Sequence, residues 1–286
     1  MILLTGVTGK TGGATANVLA AQNVPLRALV RNEEKAAPLK ESGIDLVVGD
    51  LADKSVVEKA LEGVDKALLI APNSDQQLNI EKQFTDCAEN AGVRHIVKMS
   101  SMEAVPGTDG IIPGIHIQSE DHIKASKMSW TMIKPNFFMQ NLLASAVTIR
   151  EQQKLFLPMR EGKTGMSDVR DLGEIIAKVL TENGHENKSY ELTGPELLSF
   201  GDVADRFSEV LGTKIEYVNM PLDAYMKTIA PFLTNEWHVN AVADLFAEIA
   251  EGGLDHLTDT MSEILGRPPI SLVQFIQNHI SAFKAG

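Results

Sequence analysis

Six short apolar runs in the first half of the chain, at residues 2–5, 26–30, 45–48, 66–70, 95–99 and 131–134, read as buried strands. The stretches between them, at 13–22, 35–41, 55–61, 80–91 and 120–126, repeat apolar residues at three- and four-residue spacing; Phe84, Cys87, Ala88 and Ala91 trace the clearest stripe. A strand that must rejoin its sheet in parallel needs a crossover, and a helix is the usual one, so this alternation predicts a parallel sheet covered on both faces. After about residue 150 the pattern turns to helices with isolated strands at 189–192 and 214–218. The expected organisation is therefore a nucleotide-binding domain over 1–150 and a smaller, mostly helical α/β lobe over 151–286. The two segments can interleave, since residues 168–180 could return to pack on the first domain. Ser199 ahead of Phe200 and Ser271 ahead of Leu272 have the hydroxyl that caps a helix.

Directly after the first strand the chain reads Gly6-Val7-Thr8-Gly9-Lys10-Thr11-Gly12, and a helix follows. In a Rossmann-type doubly wound sheet this turn cradles a dinucleotide pyrophosphate: the glycines let backbone approach, and the helix N-terminus offers unpaired N–H groups. The spacing G-x-x-G-x-x-G differs from the commoner G-x-G-x-x-G, and the context of strand before and helix after carries the reading. Gly9-Lys10-Thr11 imitates the end of a Walker loop, but the glycine such a loop needs five residues earlier is Leu4, inside the strand.

Where the second strand ends, an NAD-selective dehydrogenase has an acid for the ribose 2′-hydroxyl. Here Val30 is followed by Arg31, whose guanidinium suits a 2′-phosphate, with Lys10 and Lys35 as helpers. The expected cofactor is NADP(H) in preference to NAD(H), with Glu33 and Glu34 as the competing charges nearby. Asp50 and Leu51 follow the third strand, beside the expected adenine; Asp50 either accepts from the adenine amino group or caps the next turn. Ala71 and Pro72 lie at the carboxyl end of the fourth strand, the edge where ligands bind in such sheets.

Composition narrows the partners. The 286 residues include 26 Lys and Arg against 38 Asp and Glu, a formal charge of −12, which disfavours a phosphate-backbone binder. No apolar run approaches the roughly 20 residues of a membrane span. A lone cysteine, Cys87 on a helical apolar stripe, reads as a buried, inert thiol. With no leader-like start, the expected compartment is the cytoplasm. His116, Glu120 and His122 do not share one helical face, so no metal site is expected.

Taken together, Gly6–Gly12, Val30-Arg31-Asn32, Gly49-Asp50, and the segments 91–101, 116–120, 129–141 and 179–192 resemble the NmrA-like branch of the atypical short-chain dehydrogenases/reductases. The likeness is to its NADPH-dependent quinone reductase and triphenylmethane dye reductase members, and it covers most of the chain. It implies that Thr8, Lys10 and Thr11 line the pyrophosphate, and that Ser100 or Ser101 approaches the nicotinamide. It also implies that Pro135, Asn136, Phe137 and Phe138 pass beside the carboxamide, with Asn141 close by. Phe138 and Asn141 are the candidate substrate contacts; Phe137, Phe138 and Met139 either wall a flat pocket or pack into the core.

The departure from the superfamily is informative. Alcohol dehydrogenases of this class use Tyr-x-x-x-Lys, whereas the matching position here is His116-x-x-x-Glu120, and all three tyrosines fall in the second half. A simple ketone develops an alkoxide that needs a positioned acid. A quinone spreads the charge, and a cationic dye is neutralised by hydride itself. The leading expectation is thus an NADPH-dependent reductase of a small aromatic or conjugated acceptor, a quinone reductase or azoreductase, with His116 as the proton donor because imidazole titrates near neutrality. The family also contains NAD(P)-binding sensors that act through a protein partner, and this is the alternative. Assembly as a homodimer or on such a partner is left open by the sequence.

Overall fold

The computed structural model describes residues 1–284. Its strands are β1 (Ile2–Leu4), β2 (Leu26–Val30), β3 (Asp45–Val48), β4 (Lys66–Leu69), β5 (His95–Met99), β6 (Ser129–Pro135), β7 (Lys154–Leu157), β8 (Lys163–Thr164), β9 (Lys188–Leu192), β10 (Leu198–Ser199) and β11 (Glu216–Asn219). Helices of the first half are α1 (Lys10–Ala21), α2 (Ala37–Glu41), α3 (Lys54–Leu61), α4 (Gln77–Asn90) and α5 (Ile111–Ala125). Those that follow are α6 (Ala146–Gln152), α7 (Val169–Thr181), α8 (Phe200–Leu211), α9 (Leu222–Ile229), α10 (Glu236–Ala250), α11 (Thr260–Leu265) and α12 (Leu272–Asn278).

A seven-stranded sheet runs in the order β3-β2-β1-β4-β5-β6-β9. Each pairing from β3 to β6 is parallel, with Leu4 opposite Ala28 on one side and Leu68 on the other. The order reverses direction between β1 and β4, as in the doubly wound fold expected from the alternation. One face of the sheet buries Leu3, Leu29, Ala67, Leu69, Ile96 and Met132 against Val57, Leu61, Phe84, Cys87 and Ile123 from the helices. Burial of a side chain such as Leu69 or Phe84 contributes about 2 kcal/mol.

The chain divides into two compact units. The first comprises 1–108, 113–134 and 169–191; the second comprises 109–112, 135–168 and 192–286. Residues 135–150, expected with the first domain, thus cluster with the second unit, and α7 belongs to the first. Within that first unit α7 lies on α1, because Gly173 leaves no β-carbon: one built there would stand 2.7 Å from the Ala14 Cβ. Within the second unit β10 pairs antiparallel with β8 and β11 parallel with β7. Ser199 caps α8 and Ser271 caps α12, each in a reciprocal capping box.

Helix α5 departs from the sequence reading at its start. It begins at Ile111, nine residues before the expected start at 120, because Pro113 falls in its first turn, where the missing N–H has no helical partner to lose. His116 and Glu120 therefore both sit inside a helix.

Candidate active site

The loop after β1 is built on backbone. The Thr5 hydroxyl lies 3.1 and 3.0 Å from the carbonyls of Leu68 and Ile70 and accepts from the Ile70 N–H at 2.7 Å, tying the ends of β1 and β4 together. Gly6 then turns at φ +68°, with Ile70 too close for a β-carbon. A β-carbon at Gly12 would lie 2.3 Å from the Gly6 carbonyl oxygen, so the first turn of α1 lies directly on the loop. Gly9 is the N-cap of α1, no side chain caps the helix, and its first turn contains no acid. Thr8, Gly9 and Lys10 are exposed while Thr11 and Gly12 are buried. An uncapped helix start with glycine walls fits an anionic phosphate.

Arg31 and Lys35 are exposed beyond the end of β2. Their acidic neighbour Glu33 is paired with Lys40 at 2.7 Å, and that ammonium holds its carboxyl below the usual range. Glu33 is thereby drawn to α2, and the charge it would set against Arg31 is offset. Asp50 is exposed, and its Oδ1 accepts from Ala52 N at 2.9 Å, an Asx turn; the cap of α3 is Asp53. The Leu51 side chain is buried in the core cluster. Ala71 is half-buried and Pro72 exposed after β4.

The ends of β5 and β6 and the middle of α5 bring together a buried polar group. The Ser100 hydroxyl donates to Glu120 Oε1 at 2.6 Å. Glu120 is 3.0 Å from both Lys124 Nζ and Lys134 Nζ. Burial pushes its carboxyl up, but Ser100 and the two ammonium groups outweigh this and hold it below the ordinary range. Ser101 Oγ is buried without a protein partner.

His116 is buried, and its Nδ1 is 2.9 Å from Lys98 Nζ. Desolvation first, then the Lys98 and Lys134 charges, hold the ring well below its ordinary pKa. In place of the expected titration near neutrality, these surroundings favour the neutral ring. Lys98 and Glu81, missed in the sequence, complete the group, their charges 3.0 Å apart and both buried. A lone lysine inside the apolar run 95–99 was the signal available.

The remaining candidates lie in the second unit. Asn136 is buried; its Oδ1 accepts from Phe137 N at 2.6 Å and from the Thr164 hydroxyl, and its amide donates to Leu254 O at 3.4 Å. Its side chain is thus engaged in holding the turn after Pro135, which is also buried. Phe137 stacks edge-on against Phe200, with centroids 5.9 Å apart, a packing role. Phe138 is half-buried at the start of the 3₁₀ turn Met139–Ser145, and Asn141 is exposed. Phe137 and Phe138 are both half-buried, and Phe137 is engaged by Phe200.

Comparison with known proteins agrees with this architecture. The chain is 33% identical over 285 residues to an NAD(P)H azoreductase of Xenophilus azovorans, covering 100% of both. The NADPH complex of an Escherichia coli NADPH-dependent quinone oxidoreductase superposes with a TM-score of 0.88 at 26% identity, over 98% of this chain and 100% of that one. The triphenylmethane reductase of a Citrobacter species gives a TM-score of 0.86 at 25% identity, over 98% of this chain and 99% of that one. The NmrA-like family model matches residues 1–269, and the chain belongs to the NmrA-like family.

Proposed function

We propose that the protein is an NAD(P)H-dependent reductase that uses NADPH in preference to NADH and reduces a small conjugated acceptor of the quinone, azo or cationic dye class. The observation that carries the cofactor half is the uncapped, acid-free start of α1 behind a loop in which Gly12 admits no side chain. When bound, the reduced nicotinamide supplies the hydride. The loop N–H groups with Thr8, Lys10 and Thr11 hold the pyrophosphate, and Arg31 with Lys35 holds the 2′-phosphate. Ser100, its proton committed to Glu120, is left as a hydrogen-bond acceptor at the end of β5.

The acceptor class follows from what the end of β5 and the middle of α5 can do. No tyrosine stands there: Tyr217, which accepts from Met159 N, is pushed up to about 12 by burial, and it belongs to the second unit. With its pKa held down, His116 is a weaker proton donor than an imidazolium titrating near neutrality, which favours acceptors that disperse or neutralise the transferred charge. The relatives' names support this class: an azoreductase, a quinone oxidoreductase and a triphenylmethane reductase. The test is NADPH oxidation by purified protein against a quinone, an azo dye and a cationic triarylmethane dye, with nicotinamide fluorescence recorded before each addition. Turnover of one or more acceptors is expected. Cofactor binding without turnover would overturn the reductase, and absence of binding would overturn the cofactor site as well.

A further inference from the structure

Strand β5 carries a lysine where a buried strand ordinarily carries an aliphatic residue. Lys98 is 0% exposed, and burying an ammonium costs several kcal/mol unless partners take up its protons. Two acceptors and a carboxylate surround it: Met99 O and His116 Nδ1, each at 2.9 Å, and Glu81 Oε2, an ion pair at 3.0 Å. Glu81 is itself steadied by Gln77 Nε2 at 3.0 Å from its other oxygen. Stability alone would be served by the carboxylate and the carbonyl. The imidazole is an acceptor only while its ring is neutral and its proton is on Nε2.

That fixes the direction of the relay. His116 is 6% exposed, and Lys98 engages its Nδ1. The ring thus has one nitrogen against a buried ammonium and leaves Nε2 as the one that can face an acceptor. The charged groups facing the pair come from three directions: Glu81 on α4, Glu120 on α5 and Lys134 on β6. Desolvation lowers the proton affinity of Lys98, and Glu81 and Glu120 oppose this.

We propose that Lys98 is the proton reservoir of the reduction, a positioning residue that acts through His116, an inference that rests on the reductase reading above. The acceptor takes hydride, and the atom that gains negative charge takes the proton of His116 Nε2. As that N–H bond breaks, Nδ1 forms a bond to a proton from Lys98, which is left as a neutral amine. The ring is neutral before and after, and the acceptor has gained two electrons and two hydrogens. A proton from water then enters at Nε2, and the Nδ1 proton returns to Lys98. A quinone or azo acceptor needs this proton, whereas a triarylmethane cation becomes neutral on taking hydride and needs none.

Two measurements test it. ¹⁵N resonances of the His116 ring, in protein without added cofactor, should report a protonated Nε2 and a bare Nδ1 through the neutral pH range, where a free imidazole titrates. A ring that becomes imidazolium near neutrality would overturn the proposal. In Lys98→Met the ring should titrate at higher pH, because the facing cation is gone. Azo turnover should fall by about 100-fold and lose its decline at alkaline pH, while triarylmethane turnover falls far less. Equal slowing of both acceptors would assign Lys98 a structural role and overturn the relay. If Lys98→Met does not fold, Glu81→Gln replaces it: with the carboxylate gone, the alkaline decline of azo turnover should move to lower pH, and an unmoved decline would overturn the proposal. A wild-type protein with the expected ring signature that oxidises NADPH with no acceptor would overturn the reductase reading, and the relay with it.

Discussion

Arg31 carries the proposed preference for NADPH. It is exposed beyond β2, and its acidic neighbour Glu33 is already held by Lys40, so a 2′-phosphate would meet an accessible guanidinium. Hydrogen bonds to a charged group are worth about 1.5–3 kcal/mol. Arg31→Ala should therefore weaken NADPH binding by about ten- to a hundredfold and NADH binding much less, read by fluorescence titration of both cofactors. Equal losses would remove Arg31 from the 2′-phosphate site. The place of Arg31 just beyond β2 was legible because the apolar run 26–30 bounds that strand to the residue. The surroundings of Leu51 and His116 were not legible, for the opposite reason. That Leu51 is buried and that His116 faces a cation depend on residues brought in from other elements, Phe84 and Lys98 among them. Lys98 itself was passed over because in a linear reading it is one charge in an apolar strand, and its meaning comes from Glu81 and His116 converging on it.

At the level of elements, periodicity located β2, β3 and β5 to the residue, because a strand buried on both faces is a bounded apolar run. Helix α5 reaches nine residues further back than the periodicity at 120–126, because Pro113 falls in its first turn, where it costs little. The two kinds of helical glycine make a test. At Gly173 a β-carbon would meet Ala14 Cβ at 2.7 Å and Thr15 N at 2.9 Å, so α7 would have to lift from α1. Gly173→Ala should destabilise by about 1–3 kcal/mol, the usual cost of overpacking. Gly114 in α5 has nothing within 4 Å of its would-be β-carbon, and Gly114→Ala should stabilise by up to about 1 kcal/mol through reduced backbone entropy of the unfolded chain. Urea unfolding of both variants measures the two signs. A stabilised Gly173→Ala would mean that the α1–α7 approach is looser than the backbone spacing indicates.

For the whole molecule, the consequence of burying neutral histidines is sensitivity to mild acid. The His95 ring is pushed down to about 4, first by desolvation and then by the Lys66 charge; Glu186 opposes this and His185 adds to it. Its Nε2 is 2.8 Å from Thr131 Oγ1, which donates to His185 O, so the neutral ring fits this hydrogen-bond chain. His116 is held down in the same way by burial and by Lys98. A group whose folded pKa lies below its unfolded value binds protons more readily when unfolded. Stability is therefore full above the unfolded value of about 6.5 and is lost as pH falls toward the folded value. Relief of acidic repulsion works the other way, since the formal charge of −12 shrinks as carboxylates protonate. Most carboxylate protonation comes at lower pH, and exposed pairs such as Lys40–Glu33 are worth little either way. Between pH 6.5 and about 4 the histidines should thus dominate, and the melting temperature should fall steadily across that window. In His95→Asn the fall should be shallower, because a group that takes up a proton only in the unfolded chain has been removed; an unchanged slope would assign the acid sensitivity to the carboxylates instead.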